Sequence, residues 1–177
     1  MPKRQKVSQP LTTAQQLSSI IKSARDIMRK DKGLNGDLDR LPMLTWILFL
    51  KLLDDSELMR EERAKIAGVR LRPTIAEPYR WRDWAAREDG ITGDDLKEFI
   101  NNDKTDKLDG QERPGLFAYL RTLQAEDAHD PRRTIAAVFK DVTNRMQSGH
   151  LLRDVINKVN GIHFNSSEEM HTLSRLY

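Results

Sequence analysis

Apolar residues recur at intervals of three and four positions along most of this chain, a spacing that predicts helices with one buried face. The first stripe follows Thr13-Ala14-Gln15-Gln16, where a hydroxyl and a glutamine three residues later form a capping-box pattern. We therefore expect a helix that begins at Thr13 and ends near Lys32-Gly33. Its buried face comprises Leu17, Ile20, Ile21, Ala24, Ile27 and Met28.

The second helical segment is the most hydrophobic part of the chain. In residues 42–55, PMLTWILFLKLLDD, apolar side chains occupy nearly every face of a helix, which predicts burial on all sides. The run is far shorter than the ~20 residues that cross a bilayer, and Lys51 interrupts it. We predict a central buried helix from about residue 40 to 67. Its expected core residues are Leu44, Trp46, Ile47, Leu48, Phe49 and Leu52.

Capping residues predict where the helices begin and end. Asp37 or Asp39 is expected to cap the central helix, with Pro42 tolerated in its first turn. Gly68 is expected to end that helix. Further helices are expected to begin at Thr92, near Leu116, at Asp130-Pro131, at Ser148 and at Ser166-Ser167-Glu168-Glu169. The helix that follows Ser148 is expected to end at Asn160-Gly161.

The remaining segments lack helical periodicity. Residues 69–91 form a long irregular stretch with weak alternation at 69–75, and residues 101–115 are expected to be a polar loop. We predict an all-α fold, a single helical domain of about six or seven helices at 12–177, preceded by a flexible basic tail at 1–11. The last helix is cut short soon after its cap, so we expect a longer parent chain.

Charge is unevenly distributed along the 177 residues, although the formal net charge is only +3. Residues 60–87 carry eight Arg and Lys against four Asp and Glu, whereas residues 88–130 carry five against twelve. This segregation allows a basic face for phosphates. The chain has no cysteine, and its N-terminus lacks the apolar stretch of a signal peptide. These features favour a cytoplasmic protein that does not enter a membrane.

Motifs that carry catalytic chemistry are missing from the sequence. The four histidines have no metal-binding spacing such as His-Glu-x-x-His, and neither a phosphate-binding glycine loop nor a nucleophile-elbow motif occurs. Adjacent carboxylates such as Asp54 and Asp55 do not face each other on a helix. We therefore assign no catalytic, cofactor-binding or metal-binding residue in this chain.

The best binding candidate is the segment 70–87, RLRPTIAEPYRWRDWAAR. It contains five arginines, which can pair with phosphates, together with Tyr79, Trp81 and Trp84. These aromatic residues can stack on bases or on guanidinium planes, and they have two other interpretations. They can form a partner interface, or they can anchor a long loop on the helical core while the arginines stay solvated.

Residues 17–58, LSSIIKSARDIMRKDKGLNGDLDRLPMLTWILFLKLLDDSEL, resemble the N-terminal domain of the modification (M) subunit of type I restriction-modification systems. The matching features are the helix IIKSARDIMRKD and an apolar helix that ends in Phe-Leu-Lys and acidic residues. Residues 148–177 are similar to the segment that leads into that family's catalytic domain. The resemblance covers roughly residues 12–177.

This resemblance implies an assembly and DNA-clamping domain of a subunit that methylates adenine N6 in DNA with S-adenosylmethionine. The implied partners are DNA, a specificity (S) subunit, a second modification subunit and the restriction subunit. The family's catalytic domain follows the helical domain and carries a glycine motif for the cofactor and an Asn-Pro-Pro-aromatic motif for the flipped adenine. Neither motif occurs here, so we expect this fragment to be inactive alone.

Within this family, the basic segments at 60–87 and 131–153 are expected to face DNA, and the acidic segment 88–130 to face away. Two other classes of protein remain open. A stand-alone helical DNA-binding regulator requires a recognition helix with base-reading side chains. A protein–protein adaptor requires no contact with nucleic acid. The candidate DNA-contacting residues are Arg70, Arg72, Arg80, Arg82, Arg132 and Arg133.

Overall fold

The computed structural model describes residues 13–103, 106–108 and 111–163, and within them the chain forms seven helices and one short hairpin. The predicted tail at 1–11 and the capping box at 166–169 lie outside the described residues. The all-α prediction is confirmed. The elements are α1 (Thr13–Met28), α2 (Asp37–Ile66), α3 (Trp81–Trp84), α4 (Gly93–Asn101), β1 (Asp106–Leu108), β2 (Gln111–Arg113), α5 (Leu116–Arg121), α6 (Pro131–Phe139) and α7 (Gly149–Asn160).

Helix α2 is the central element of the core, as the apolar run predicts. Leu44, Trp46, Ile47 and Leu48 are buried, while Phe49 and Leu52 are partly buried and pack against the same cluster. The indole ring of Trp46 meets the ring of Phe117 from α5 edge to face, with centroids 5.0 Å apart. Aromatic pairs of this geometry contribute beyond the area that they bury. Residues 46–51 of α2 are therefore buried or partly buried on every face, whereas Leu38 and Leu41 before them are exposed.

The ends of α2 differ in part from those predicted. The helix begins at Asp37, so Asp37 and Asp39 lie in its first turn and Gly36 takes the N-cap position. Asp39 accepts a hydrogen bond from the N–H of Asn35 at 3.0 Å instead of capping the helix. The capping prediction for the two aspartates is therefore wrong, and Pro42 lies in the second turn. Gly68 ends the helix as predicted, in the left-handed conformation with φ 68°.

Other helix boundaries follow their caps more closely. Asp130 accepts the N–H of Arg132 at 2.9 Å, and Ser148 accepts the N–H of Leu151 at 3.1 Å, so both predicted caps are confirmed. Thr92 occupies the N-cap position of α4, but its hydroxyl makes no capping bond. Instead it lies 3.2 Å from Nδ1 of His150. Helix α1 ends at Met28, earlier than predicted.

A buried carboxylate fastens the segment between α1 and α2 to the start of α7. Asp31 accepts hydrogen bonds from the N–H groups of Gly33, Gln147 and Ser148 at 2.8, 3.0 and 2.9 Å. Charge-assisted bonds of this kind are stronger than neutral ones. The carboxylate therefore links two segments that are more than a hundred residues apart in the chain.

The hairpin lies in the segment that was expected to be a loop. Strands β1 and β2 pair antiparallel, with Asp106 opposite Arg113. The loop prediction is wrong there because three-residue strands are too short to show alternation. Residues 69–75 form no strand. In that segment the N–H of Thr74 donates to the carboxylate of Glu57 at 2.8 Å, so it is not available to pair with a strand.

Candidate nucleic-acid interface

The aromatic residues of the segment 70–87 anchor this segment on the helical core. Tyr79, Trp81 and Trp84 are buried among the core side chains. Their polar atoms are satisfied inside the fold: the Tyr79 hydroxyl donates to the carbonyl of Pro114 at 2.6 Å, and Nε1 of Trp81 donates to Asn160 at 2.9 Å. Buried aromatic residues whose polar atoms are satisfied favour the anchor interpretation. At most 5% of each residue stays exposed at these three positions, which leaves little surface for a partner.

Arg82 is held by two carboxylates of α2. Its guanidinium donates to Asp54 at 2.9 Å and to Glu61 at 2.8 Å, and its backbone N–H also donates to Asp54. Burial disfavours the charged form, but the hydrogen bonds to Glu61 and Asp54 outweigh it and raise the pKa of Arg82 above its ordinary value. Arg82 therefore fixes α3 to α2, and its charge is already matched within the fold.

Arg80 is likewise engaged within its own turn. Its guanidinium donates to Asp83 at 2.9 Å and pairs with Glu77. The Asp83 carboxylate in turn accepts the backbone N–H of Arg80, and the N–H of Asp83 donates to the carbonyl of Arg80 at 2.8 Å. The hydrogen bond to Asp83 raises the pKa of the Arg80 side chain. Arg80 is therefore a local structural residue.

Arg132 pairs with Asp130, the residue that caps α6. The guanidinium lies 2.9 Å from the carboxylate, and this hydrogen bond lowers the pKa of Asp130. Arg72 also contributes to that lowering through its charge. The charge of Arg132 is therefore already paired within the fold.

Three of the six candidate arginines are free to meet a ligand. Arg70, Arg72 and Arg133 are exposed, and no ion pair forms at these residues in the part of the chain that the structure describes. Their guanidinium groups can pair with phosphate without breaking an internal contact. The other three, Arg80, Arg82 and Arg132, are engaged by acidic residues.

Arg153 is a buried structural residue whose contacts the sequence pattern does not reveal. It is buried on α7, and its guanidinium donates to the carbonyls of Trp84 at 3.1 Å, Ala85 at 2.7 Å and Arg87. It thereby holds the end of α3 against α7. Only its spacing within the apolar stripe of α7, next to Leu152, signals that it faces the core.

Replacing Arg82 with Gln is expected to lower the free energy of unfolding by about 2 kcal/mol, because the buried Asp54 loses its charged partner and keeps only the backbone N–H of residue 82. The exposed Arg72→Gln serves as the matched control and is expected to change stability by less than about 0.5 kcal/mol. Urea denaturation measures both. Equal stability of the two variants would contradict the structural role of Arg82.

Two features that other functions require do not occur in the described residues. No group of three or more His, Asp or Glu side chains in residues 13–103, 106–108 and 111–163 is arranged to hold a metal ion. Over the same residues, no helix combines the length and the hydropathy that crossing a membrane requires.

Comparison with known proteins identifies one consistent group. The family model described as HsdM N-terminal domain matches residues 17–159. The methylase subunit of the type I restriction enzyme EcoEI from Escherichia coli is 43% identical over 162 residues, which are 91% of this chain and 30% of that protein.

Two solved structures are similar to the chain. A modification subunit from Vibrio vulnificus YJ016, assigned to a type I restriction enzyme, is 67% identical with a TM-score of 0.87, covering 97% of this chain and 35% of that one. A second structure, from a study of complex assembly and conformational transition of the type I R-M system, is 33% identical with a TM-score of 0.69. The match covers 94% of this chain and 30% of that one. This chain thus spans about a third of the length of its relatives.

Proposed function

The chain belongs to the HsdM N-terminal domain family, and from this membership we propose that it is the assembly and DNA-clamping domain of a type I restriction-modification methylase subunit. Its role is to hold DNA phosphates and to join partner subunits, while the chemistry takes place elsewhere in the protein. The observation that carries the DNA half of the proposal is the exposure of Arg70, Arg72 and Arg133 without ion pairs among the described residues.

The contact we propose is electrostatic and independent of base sequence. Arginines on an irregular segment and at the start of α6 can reach phosphate oxygens, and such contacts fix position without reading bases. Neutralising phosphates releases counterions, so the affinity should fall steeply with salt. The arginines Arg80 and Arg82 are excluded from this surface because the fold uses their charge.

The parent protein is proposed to be a site-specific adenine-N6 DNA methyltransferase that uses S-adenosylmethionine. In this proposal it acts with a specificity subunit, a second modification subunit and the restriction subunit, and the protein is cytoplasmic. No residue of this chain is assigned to the cofactor or to methyl transfer. Support for the proposal comes from the family membership and from the similarity to a type I methylase subunit.

The DNA contact is tested with the full-length subunit in its complex. Changing Arg70, Arg72 and Arg133 together to Gln is expected to weaken DNA binding at least tenfold at low salt. The plot of log affinity against log salt should become shallower by about 2 to 3. Fluorescence anisotropy with a duplex that contains the recognition site measures both quantities.

The matched control removes the same charge elsewhere. Lys22, Lys30 and Lys158 are exposed on or beside α1 and α7, outside the segments that carry Arg70, Arg72 and Arg133. Their replacement by Gln should leave the salt slope nearly unchanged. If the arginine variant behaves like this control, the DNA half of the proposal fails and the protein–protein adaptor is favoured. Strong sequence preference in binding by this domain would instead favour the DNA-binding regulator.

A further inference from the structure

Arg70 and Arg72 lie on a short exposed segment just after the end of α2, and we call residues 69–73 the arginine strap. The strap forms neither helix nor strand nor turn, and its two exposed arginines flank Leu71, which is half-buried. An extended segment that lies on a protein surface shows this alternation. Pro73 favours it as well, because a proline ring pushes the preceding residue towards extended backbone.

The two arginines of the strap are placed as a pair. In an extended chain, residues two positions apart lie on the same side, about 6.5 Å from each other. Arg70 and Arg72 therefore present two guanidinium groups to solvent side by side. Each strand of B-DNA carries one phosphate per ~3.4 Å of the helix axis, so the pair spans about two phosphates of one strand.

The first end of the strap is fixed by the end of α2. The N–H of Val69 donates to the carbonyl of Ala64 at 2.9 Å, and the N–H of Gly68 donates to the carbonyl of Lys65 at 3.2 Å. Together with the positive φ of Gly68, these bonds form a Schellman motif. The backbone is therefore held by hydrogen bonds up to Val69, where the strap begins.

A buried carboxylate of α2 fixes the other end of the strap. Glu57 is 6% exposed, and it accepts hydrogen bonds from the N–H of Thr74 at 2.8 Å and from the Thr74 hydroxyl at 3.1 Å. Arg60 also donates to this carboxylate, at 3.1 Å. The next residue along the chain, Ile75, is buried in the core. The position directly after the strap is therefore held through its backbone and its side chain.

The acidic residues of the neighbouring helix end leave the strap in a positive environment. Among residues 57–66 of α2, Glu57 pairs with Arg60, and Glu61 pairs with Arg82. The other charged residues of this range are exposed, and no ion pair forms at them in the described part of the chain: Glu62, Arg63 and Lys65. Two cations against one anion add to the positive potential of the strap, which favours phosphate as its ligand.

We propose that Glu57 is a positioning residue for DNA binding. Through Thr74 it holds the arginine strap in the shape that brings Arg70 and Arg72 to neighbouring phosphates of one DNA strand. This inference rests on the proposed function, which supplies DNA as the ligand. It adds that a buried carboxylate without contact to DNA controls how tightly the two arginines bind. A segment ordered before binding loses little conformational entropy when it binds, whereas a loose segment loses it then.

The change Glu57→Leu in the full-length subunit and its complex is expected to weaken DNA binding at least about fivefold. Removal of a negative charge near phosphates would by itself strengthen binding, so charge alone predicts the opposite sign. Both arginines remain, so the slope of log affinity against log salt should change by less than about 1. Glu57→Gln keeps an oxygen for the N–H of Thr74 and should weaken binding less. Fluorescence anisotropy with the duplex used for the arginine variant measures these quantities.

A second variant loosens the strap without changing the core. Pro73→Gly frees the backbone at an exposed position and is expected to weaken DNA binding about threefold or more, again with little change in the salt slope. Hydrogen exchange adds a local readout, since the N–H of Thr74 should lose protection in the Glu57→Leu variant. Leu48→Ala is the control for lost stability, because it weakens the core and leaves the strap contacts in place. At a temperature where this control stays folded, its DNA affinity should remain within about twofold of the unchanged complex.

The outcomes separate this inference from the proposed function. Unchanged or tighter DNA binding by Glu57→Leu would overturn the positioning role and leave the arginine contact standing. An equal loss of DNA affinity in Leu48→Ala would also overturn it, because the effect would then follow stability. Weaker binding of partner subunits with unchanged DNA affinity would show that the strap meets protein, and the inference would fail. If the variant with Gln at Arg70, Arg72 and Arg133 binds DNA like the unchanged complex, the proposed DNA contact fails and this inference falls with it.

Discussion

Replacing Arg153 with Met is expected to lower the free energy of unfolding by about 4 kcal/mol. The side chain is only 4% exposed, and its guanidinium satisfies the carbonyls of Trp84, Ala85 and Arg87. A methionine of similar length fills the space but donates no hydrogen bond, so the carbonyls of Trp84 and Ala85 lose their side-chain partner, while that of Arg87 keeps the N–H of Gly90. Each unsatisfied buried group costs about 1–3 kcal/mol. Burial lowers the pKa of Arg153, with Asp89 opposing, so the hydrogen bonds must also offset the cost of a buried charge.

Lys158→Met on the same helix is the control, because Lys158 is exposed and the change should cost less than about 0.5 kcal/mol. Urea denaturation followed by circular dichroism measures both variants. Hydrogen exchange adds a local readout, since residues 85–90 should lose protection in the Arg153 variant before α2 does. A cost for Arg153→Met as small as that of the control would show that the buried guanidinium does not hold this segment.

The second large effect is expected at the centre of α2, where Leu48→Ala should cost about 2–5 kcal/mol. Leu48 is 3% exposed and lies within the main core cluster, so its shortening removes packed methyl groups and leaves a cavity. The control is Leu38→Ala, because Leu38 is on the same helix but in solvent. Thermal and urea unfolding should separate the two clearly. A loss below about 1 kcal/mol for Leu48→Ala would show that the site collapses around the smaller residue.

The sequence predicts the helices better than their ends. The apolar run at 42–55 can only be buried if other helices surround it, and periodicity alone indicates this. The caps at Asp130 and Ser148 depend on neighbours two or three residues away, so they are also predictable. The need for glycine at position 149 cannot be predicted in this way. A Cβ there would lie 1.8 Å from the carbonyl oxygen of Gly93. That close approach of α4 and α7 follows from the whole fold and leaves no local signal.

In the candidate site, too, the local sequence predicts some features and only the whole fold determines the others. An arginine beside tryptophans predicts binding, but its availability depends on carboxylates elsewhere in the chain. Asp54 is 28 residues from Arg82, and the carbonyls that Arg153 holds are 66 to 69 residues away from it. Nothing in the local pattern distinguishes Arg82 from Arg72, since both lie in the same basic segment. Only the structure separates the charges that the fold uses from those left for a ligand.

The methyl transfer proposed for the full-length subunit in its complex is the most direct test of the central proposal, namely that this domain holds DNA without taking part in the chemistry. The measurement compares the kinetics of the unchanged protein and the variant with Gln at Arg70, Arg72 and Arg133. The prediction is that KM for DNA rises about tenfold or more while kcat stays within about twofold. A fall in kcat with unchanged KM would contradict the claim.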